Sequence, residues 1–357
     1  GVYYFARVDS EAKLVHSDTY TIDGGDFRAE ALVGAGNGFA AVGYVSGNSY
    51  DHLLEVDAAG APTGALAIDI GGSRFDVYDM AARPGGGYVL AGAVADPSVV
   101  PGIVERDAYD IAAVVALDAQ GAVDWAHALE KAGHDRRSRA GEIAVSPAGG
   151  VAVTVRTVRC SYDRFDNCDS TDYGWLQTFA ADGAPGWSAD LGAGRDGLSF
   201  GRPAYANGLW GVMFYARNCN FNCNTYDYYG PGLIALDAAD GSERFIARLS
   251  SKASSGGLYD LSSDGSDFFY AWVAGDAIYA SRLGTDGVTQ DGVRLLMDPG
   301  ITGVRSWPMI DRAGKVTLPF YSDTPTLTPD NGRDLFAARL DADFDIEGCG
   351  FCSEDVR

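Results

Sequence analysis

The six cysteines of this chain lie in three pairs that are close in sequence: Cys160 and Cys168, Cys219 and Cys223, and Cys349 and Cys352. Close pairs of cysteines in polar segments indicate local disulfides formed in an oxidising compartment. Zinc is the alternative, but the first two pairs differ in spacing and lack a nearby histidine, whereas zinc ligands follow regular spacings. We therefore expect three disulfides and an extracytoplasmic protein, either secreted, periplasmic or on the cell surface.

The segment that follows Cys160 is rich in aspartate at three-residue intervals. Calcium is bound in proteins by carboxylate and carbonyl oxygens on loops, and the candidate ligands here are Asp163, Asp166 and Asp169. Their spacing differs from the alternating ligands of an EF-hand loop, and Arg164 competes for the same carboxylates. The alternative to a Ca²⁺ site is a solvated loop that its disulfide holds in place.

Aromatic side chains stand among Asn and Asp in the two inserts that contain the first two cysteine pairs, residues 160–174 and 218–230: Tyr162, Phe165, Phe221, Tyr226, Tyr228 and Tyr229. Rigid rings with polar tips are typical of surfaces that contact proteins or glycans. A loop closed by a disulfide also loses less conformational entropy when it binds. We expect the two loops to form one binding surface; the alternative is that the rings pack only against each other.

The chain carries no recognisable catalytic motif. Its four histidines are scattered, and the G-x-S-x-G, HExxH and phosphate-loop patterns are absent. The 49 acidic residues make any single carboxylate pair uninformative. A non-enzymatic binding or assembly protein is therefore the main hypothesis, and an enzyme with a carboxylate site, such as a glycosidase, is the alternative.

The formal net charge of −22 limits the classes of partner. A strongly acidic surface repels the phosphate backbone of nucleic acids and anionic membrane surfaces. No apolar run reaches the roughly 18 residues that a membrane-spanning helix needs. The expected partners are a protein or glycan at the cell surface, or further copies of the chain.

Two repeated half-units position these segments. The first is an apolar strand, an Asp, a Gly-containing turn and a second strand, and its copies span residues 3–15, 53–68, 113–129, 175–191, 233–249, 278–296 and 335–348. The second is a Gly-led apolar strand preceded by a weaker strand, and its copies span residues 36–45, 85–94, 148–157, 207–216, 265–274 and 313–322. Four short strands in about 55 residues are typical of a β-propeller blade.

An aspartate precedes the apolar strand in six copies: Asp51, Asp110, Asp172, Asp227, Asp276 and Asp334. A residue that recurs in each unit is expected to be structural. A carboxylate at the start of a strand can accept hydrogen bonds from backbone N–H groups of its own loop, and we predict that role here.

The half-units add up to six and a half repeats. Seven blades are expected if the first blade contributes only its last two strands to this chain, and six blades plus an extra hairpin are the alternative. The sequence therefore predicts an all-β protein, with residues 1–348 forming a single β-propeller of about seven four-stranded blades. Residues 349–357 form a short cysteine-containing C-terminal tail.

The repeat resembles that of propeller-repeat proteins secreted by many bacteria, whose pattern is Gly-Gly-Tyr, an apolar segment and Gly, then Asp, an apolar strand, Leu-Asp, Gly and Trp. Residues 85–92 and 110–129 match this pattern well. Trp187 is the counterpart of Trp125, whereas Phe245 replaces it in the fifth copy. The resemblance implies a bacterial cell-surface or secreted binding or assembly protein.

A second resemblance concerns residues 234–245, which are similar to the tryptophan-docking repeat of pyrroloquinoline-quinone dehydrogenases and of an outer-membrane assembly scaffold. The chain lacks the two adjacent cysteines of those dehydrogenases. This likeness implies a quinoprotein-like propeller enzyme as a further form of the enzymatic alternative, in which the carboxylate site lies in the central channel of the propeller.

Overall fold

The computed structural model of the chain describes residues 5–8, 14–36, 38–94, 96, 111–129, 137–162, 168–191, 198–216, 230–248, 259–274, 277–296, 305–306, 309–310, 316–322, 334–340 and 346–349. These residues form strands and turns, and none of them is helical. The chain divides into two compact units, residues 1–6 with 16–198 and residues 7–15 with 199–357.

Strands that are consecutive in sequence pair antiparallel in three sheets of the first unit. Sheet A contains β3 (Thr21–Ile22), β4 (Gly25–Ala35), β5 (Gly38–Val45), β6 (Asp51–Val56) and β7 (Pro62–Ala67). Sheet B contains β8 (Asp69–Ile70), β9 (Ser73–Ala82), β10 (Tyr88–Val94), β11 (Ile111–Leu117) and β12 (Val123–Ala128). Sheet C contains β13 (Arg137–Val145), β14 (Val151–Tyr162), β15 (Cys168–Phe179) and β16 (Pro185–Asp190).

The second unit repeats this order in three more sheets. Sheet D contains β17 (Leu198–Ala206), β18 (Leu209–Ala216), β19 (Gly230–Asp237) and β20 (Glu243–Arg248). Sheet E contains β21 (Tyr259–Ser263), β22 (Phe268–Ala274), β23 (Ala277–Leu283) and β24 (Thr289–Leu296). Sheet F contains β25 (Arg305–Ser306), β26 (Met309–Ile310), β27 (Val316–Ser322), β28 (Asp334–Leu340) and β29 (Ile346–Cys349). A separate hairpin pairs β1 (Phe5–Val8) with β2 (Leu14–Asp18).

The two half-units of the sequence correspond to fixed positions in these sheets. The Leu-Asp half-unit forms the third and fourth long strands of each sheet, and its first copy forms the β1–β2 hairpin. The Gly-led half-unit forms the second long strand, with the weaker strand before it. The same strand order therefore recurs in the six described sheets. Six sheets plus a hairpin fit both blade counts, so the number of seven blades stays a prediction.

Burial explains why the second and third strands read as continuous apolar runs. All seven residues of β10 and of β11 are buried, whereas all six residues of β7 are exposed. Alternate residues of a strand point to opposite faces. Leu90 therefore joins a core with Val42 of sheet A, and the adjacent Val89 joins a core with Val153 of sheet C. A central strand that is buried on both faces has apolar residues at consecutive positions, because neither face contacts solvent.

The turn between the third and fourth long strands has the predicted chemistry. Its glycine has positive φ in five sheets, at Gly60, Gly121, Gly183, Gly241 and Gly287. In sheet B, the Asp118 carboxylate accepts hydrogen bonds from the N–H groups of Gln120 and Ala122, at 2.9 and 2.8 Å. The Leu-Asp-x-x-Gly pattern is therefore a self-contained turn in which side chain and backbone conformation act together.

A β-bulge interrupts the first long strand of each sheet in the first unit. The register shifts after Ala29 in β4, before Asp79 in β9 and after Ala140 in β13. Opposite the first two bulges stand glycines, and a Cβ atom on Gly92 would lie only 2.1 Å from the Asp76 carbonyl oxygen. Opposite the third bulge stands Thr154 rather than a glycine. The close approach of the two backbones in sheet C therefore needs a small residue at another position.

In sheet C the small residue has moved to the other strand. Gly141 lies in the bulge itself, and its Cβ position is 3.2 Å from the Thr154 hydroxyl oxygen. That hydroxyl accepts a hydrogen bond from the Glu142 N–H at 3.1 Å and donates to the Glu142 carbonyl at 3.3 Å. One glycine on either strand is therefore enough to let the two backbones approach.

Candidate functional site

Within the described residues, the second and third long strands of sheet C are longer than those of the other sheets. Its strands β14 and β15 each have 12 residues, against seven in β10 and β11. The antiparallel ladder continues through five extra pairs, from Val158 opposite Asp172 to Tyr162 opposite Cys168. We call residues 158–162 and 168–172 the arm. At about 3.3 Å per residue, five additional residues extend the sheet by about 17 Å.

Five residues singled out in the sequence lie in this arm, and one of them is Asp172, which pairs with Val158. Cys160 pairs with Ser170, and Cys168 pairs with Tyr162, so the two cysteines are diagonal neighbours in the ladder. Asp169 pairs with Ser161. Sequence reasoning placed these residues in a loop; the structure places them in a regular hairpin, because β-pairing continues past the end of the sheet.

The other predicted site residues lie outside the part of the chain that the structure describes, except for Cys349, the last residue of β29. Those outside are Asp163, Phe165, Asp166, Cys219, Phe221, Cys223, Tyr226, Tyr228, Tyr229 and Cys352. The disulfides, the calcium site and the shared binding surface therefore stay predictions. Among the residues that are described, no cluster of His, Cys, Asp and Glu could hold a metal ion.

Two buried aspartates join neighbouring sheets, and sequence reasoning identified only one of them. The Asp51 carboxylate of β6 accepts a hydrogen bond from the Val77 N–H of β9 at 2.8 Å. The Asp79 carboxylate of β9 accepts one from the Ile143 N–H of β13 at 2.9 Å. Both donors lie beside a β-bulge, where the ladder leaves backbone N–H groups without a strand partner.

The predicted structural role of Asp51 therefore needs one correction. Its carboxylate binds the next sheet rather than its own loop, because a bulge in that sheet supplies a buried donor that must be satisfied. Asp79 went unnoticed, although a carboxylate within the apolar segment of residues 77–80 was a usable signal.

The surroundings of Asp51 and Asp79 differ from those expected of a catalytic carboxylate pair. Burial raises the pKa of Asp51, and the hydrogen bond from the Val77 N–H opposes that rise. Asp79 is only 2% exposed. A perturbed carboxylate in a cleft would be a candidate catalytic group, but each of these two carboxylates is bound to a backbone N–H. Their environment is accounted for by packing between sheets.

The histidines of the described sheets are likewise engaged locally. His52 donates from Nδ1 to the Tyr50 carbonyl at 3.0 Å, and its Nε2 lies 3.3 Å from the Asn48 amide nitrogen. His127 donates from Nε2 to the Gly183 carbonyl at 2.7 Å. His127 also stacks on Phe179, with ring centroids 5.1 Å apart. These contacts hold strands and turns, and they bring neither histidine to a carboxylate.

An open groove of about 870 Å³ lies in the second unit, where the turns of sheets D and E meet. It is formed by the β17–β18 turn, the β19–β20 turn and the β23–β24 turn. Its side chains include two aromatic rings, one guanidinium, one amide and two carboxylates: Tyr205, Phe245, Arg244, Asn207, Asp237 and Asp286. Sequence reasoning missed this groove because its residues come from three separate turns.

Comparison with known proteins establishes the fold class. No family model matches the chain, and no curated protein matches it. Among solved structures, prolyl oligopeptidase B from Galerina marginata is 11% identical, with a TM-score of 0.51, over 91% of this chain and 42% of that protein. The WD40 domain of coronin from Toxoplasma gondii is 10% identical, with a TM-score of 0.48, over 90% of this chain and 73% of that one.

A protein of unknown function from Bacteroides caccae is 13% identical, with a TM-score of 0.45, over 90% of this chain and 92% of that one. The antiparallel meanders of the described sheets and the fold likeness at a TM-score of 0.51 assign this chain to the all-β propeller fold class. At these identities the likeness concerns the fold alone. Within the described residues, no helix is long and apolar enough to cross a membrane.

Proposed function

We propose that this protein is an extracytoplasmic binding or assembly protein that contacts a protein or glycan partner through the arm of sheet C. The observation that carries the proposal is the arm itself. A blade of this fold needs strands of about six or seven residues, as β10 and β11 show. The described core of sheet C draws on Val153 and Val155 of β14 and on Trp175 of β15, and the five additional ladder pairs lie beyond these residues along the two strands.

The physical properties of the arm suit recognition. Its backbone is held in register by the ladder before any partner arrives, so binding orders few additional torsions. In sequence, residues 159–171 combine two aromatic rings with three carboxylates, one amide and two arginines. Such mixtures supply rigid contact area together with adaptable hydrogen bonding. The predicted disulfide between Cys160 and Cys168 would join the two strands of the arm.

Removal of the arm tests this proposal. Residues 159–171 are replaced by Asn-Gly, which forms a two-residue hairpin turn. Folding is measured by thermal unfolding, self-association by analytical ultracentrifugation, and binding against immobilised glycans and purified surface proteins of the source organism. We expect an unchanged unfolding midpoint and the loss of at least one interaction that the parent makes.

A point variant and a matched control sharpen the result. Tyr162→Ser combined with Phe165→Ser removes one ring from the arm and one from the segment that connects its strands in sequence, whereas Tyr44→Ser removes a ring from β5 that is 38% exposed. The arm variant should lose binding and the control should keep it. An arm-deleted protein that keeps every interaction of the parent would show that the arm has no recognition role.

A further inference from the structure

We propose that the groove at the turns of sheets D and E is a second binding site, independent of the arm, and that its ligand is a neutral saccharide.

The floor of the groove is built from turns that are hydrogen-bonded to one another. The Asn207 N–H donates to the Gly265 carbonyl, and the Ala238 N–H donates to the Gly208 carbonyl, both at 2.8 Å. The Phe245 ring of sheet D lies against the β23–β24 turn of sheet E, with ring atoms 3.1 Å from the Cβ position of Gly287. These links hold the groove open in advance, which lowers the entropic cost of binding.

The polar wall offers planar donors and acceptors in fixed positions. Arg244 binds Asp237 through Nε and Nη2, and this ion pair holds the pKa of Asp237 below its usual range. Arg244 is 56% exposed, so the rest of its five N–H donors face the groove and solvent. The Asp286 carboxylate accepts from the Val288 N–H at 2.9 Å, which fixes its orientation.

Charge selects among the ligands that such a wall could hold. The groove carries two carboxylates, Asp237 and Asp286, against one guanidinium, Arg244, in a protein of net charge −22. A phosphate or carboxylate ligand would be repelled. A simple cation would be repelled by the Arg244 guanidinium, which already binds the Asp237 carboxylate. A neutral ligand with many hydroxyl groups avoids both penalties, because each hydroxyl both donates and accepts hydrogen bonds.

The aromatic rings supply the apolar half of the same recognition. Tyr205 and Phe245 line the groove and are half-buried, and Tyr205 is fixed by an edge-to-face contact with Trp210, with centroids 5.1 Å apart. One face of a sugar ring presents C–H groups that can lie on an aromatic ring, while its hydroxyls reach the polar wall. Pockets with apolar area and a few placed polar groups are typical ligand sites.

The proposal is tested by isothermal titration calorimetry with maltotriose, cellotriose, xylotriose and chitotriose as probes, each to several millimolar. At least one probe should bind the parent. Arg244→Ala should weaken that binding by about tenfold or more, because charge-assisted hydrogen bonds are lost. Arg244→Lys should weaken it similarly, since an ammonium group keeps the charge without the planar fork.

The matched control is Arg74→Ala, which removes an equally exposed arginine from an ion pair with Asp76 in sheet B. It should bind the probe as the parent does. Thermal unfolding of Arg244→Ala should match the parent, because exposed ion pairs contribute little to stability.

Three results would overturn the proposal: no probe binds the parent, Arg244→Ala binds as the parent does, or inorganic phosphate competes with the saccharide in the parent and in Arg244→Lys alike. The arm-deleted protein should retain saccharide binding, so failure of the arm and failure of the groove are separately visible.

Discussion

Gly92 lies where β10 passes the bulge of β9, and replacing it with alanine tests how tightly the two backbones approach. The new Cβ atom would lie 2.1 Å from the Asp76 carbonyl oxygen and 3.0 Å from the Phe75 ring. Phe75 is fully buried, and so are the residues on either side of Gly92 in β10. Neither obstacle is a mobile chain end, so one strand must move by about 1 Å.

The size of the effect follows from that displacement. Overpacking a buried site costs about 1–3 kcal/mol, and each ladder hydrogen bond weakened by the shift adds about 0.5–1.5 kcal/mol. We expect a loss of about 3 kcal/mol or more in the free energy of unfolding. For a unit of roughly this size, that loss corresponds to a fall of about 6–12 °C in the unfolding midpoint.

Urea and thermal unfolding, followed by far-ultraviolet circular dichroism, measure the change. The control is Gly34→Ala in β4, an exposed strand position where the new Cβ atom meets nothing within 4 Å. It should change the unfolding free energy by less than about 1 kcal/mol. If Gly92→Ala unfolds like the parent, or if both variants are equally destabilised, the reasoning about the bulge is wrong.

Three further outcomes are expected. Asp79→Ala should cost about 2–3 kcal/mol in urea unfolding, because the buried Ile143 N–H loses its acceptor, and Asp79→Asn should recover part of that loss. Since burial raises the pKa of Asp51 above 3.8, folded protein binds the extra proton, and the stability contribution of Asp51 falls as pH rises above that value; Asp51→Asn should flatten this part of a stability–pH profile. Alkylation followed by mass measurement should find no free thiol in protein from an oxidising compartment, and cysteine labelling would contradict the predicted disulfides.

The repeat could be predicted from sequence because its signals are local. The turn glycines with positive φ, such as Gly121, and the aspartate three residues earlier, Asp118, are neighbours in the chain. The burial of β10 and β11 follows from apolar runs that need no knowledge of partners. Strand order then follows, because consecutive strands in this fold pair with each other.

The candidate sites were harder to predict because they depend on distances across the chain. The carboxylate of Asp51 and the N–H of Val77 are 26 residues apart, and those of Asp79 and Ile143 are 64 apart. Whether a bulge presents a donor to them depends on the register between two strands. The register is difficult to predict from sequence because the glycine that permits the close approach is on different strands in different sheets. In sheet B it is Gly92 on β10, the second long strand, and in sheet C it is Gly141 on β13, the first long strand.

The same contrast distinguishes the core strands from the two proposed binding sites. In sheet B the second and third long strands, β10 and β11, are buried along their whole length, and any polar group placed there must be satisfied by the neighbouring sheet. The ends of the sheets carry no such requirement. In sheet C the arm extends the strands β14 and β15. In sheets D and E the groove lies at the β17–β18, β19–β20 and β23–β24 turns. Because each can change without disturbing a core strand, the arm and the groove can acquire different ligands independently.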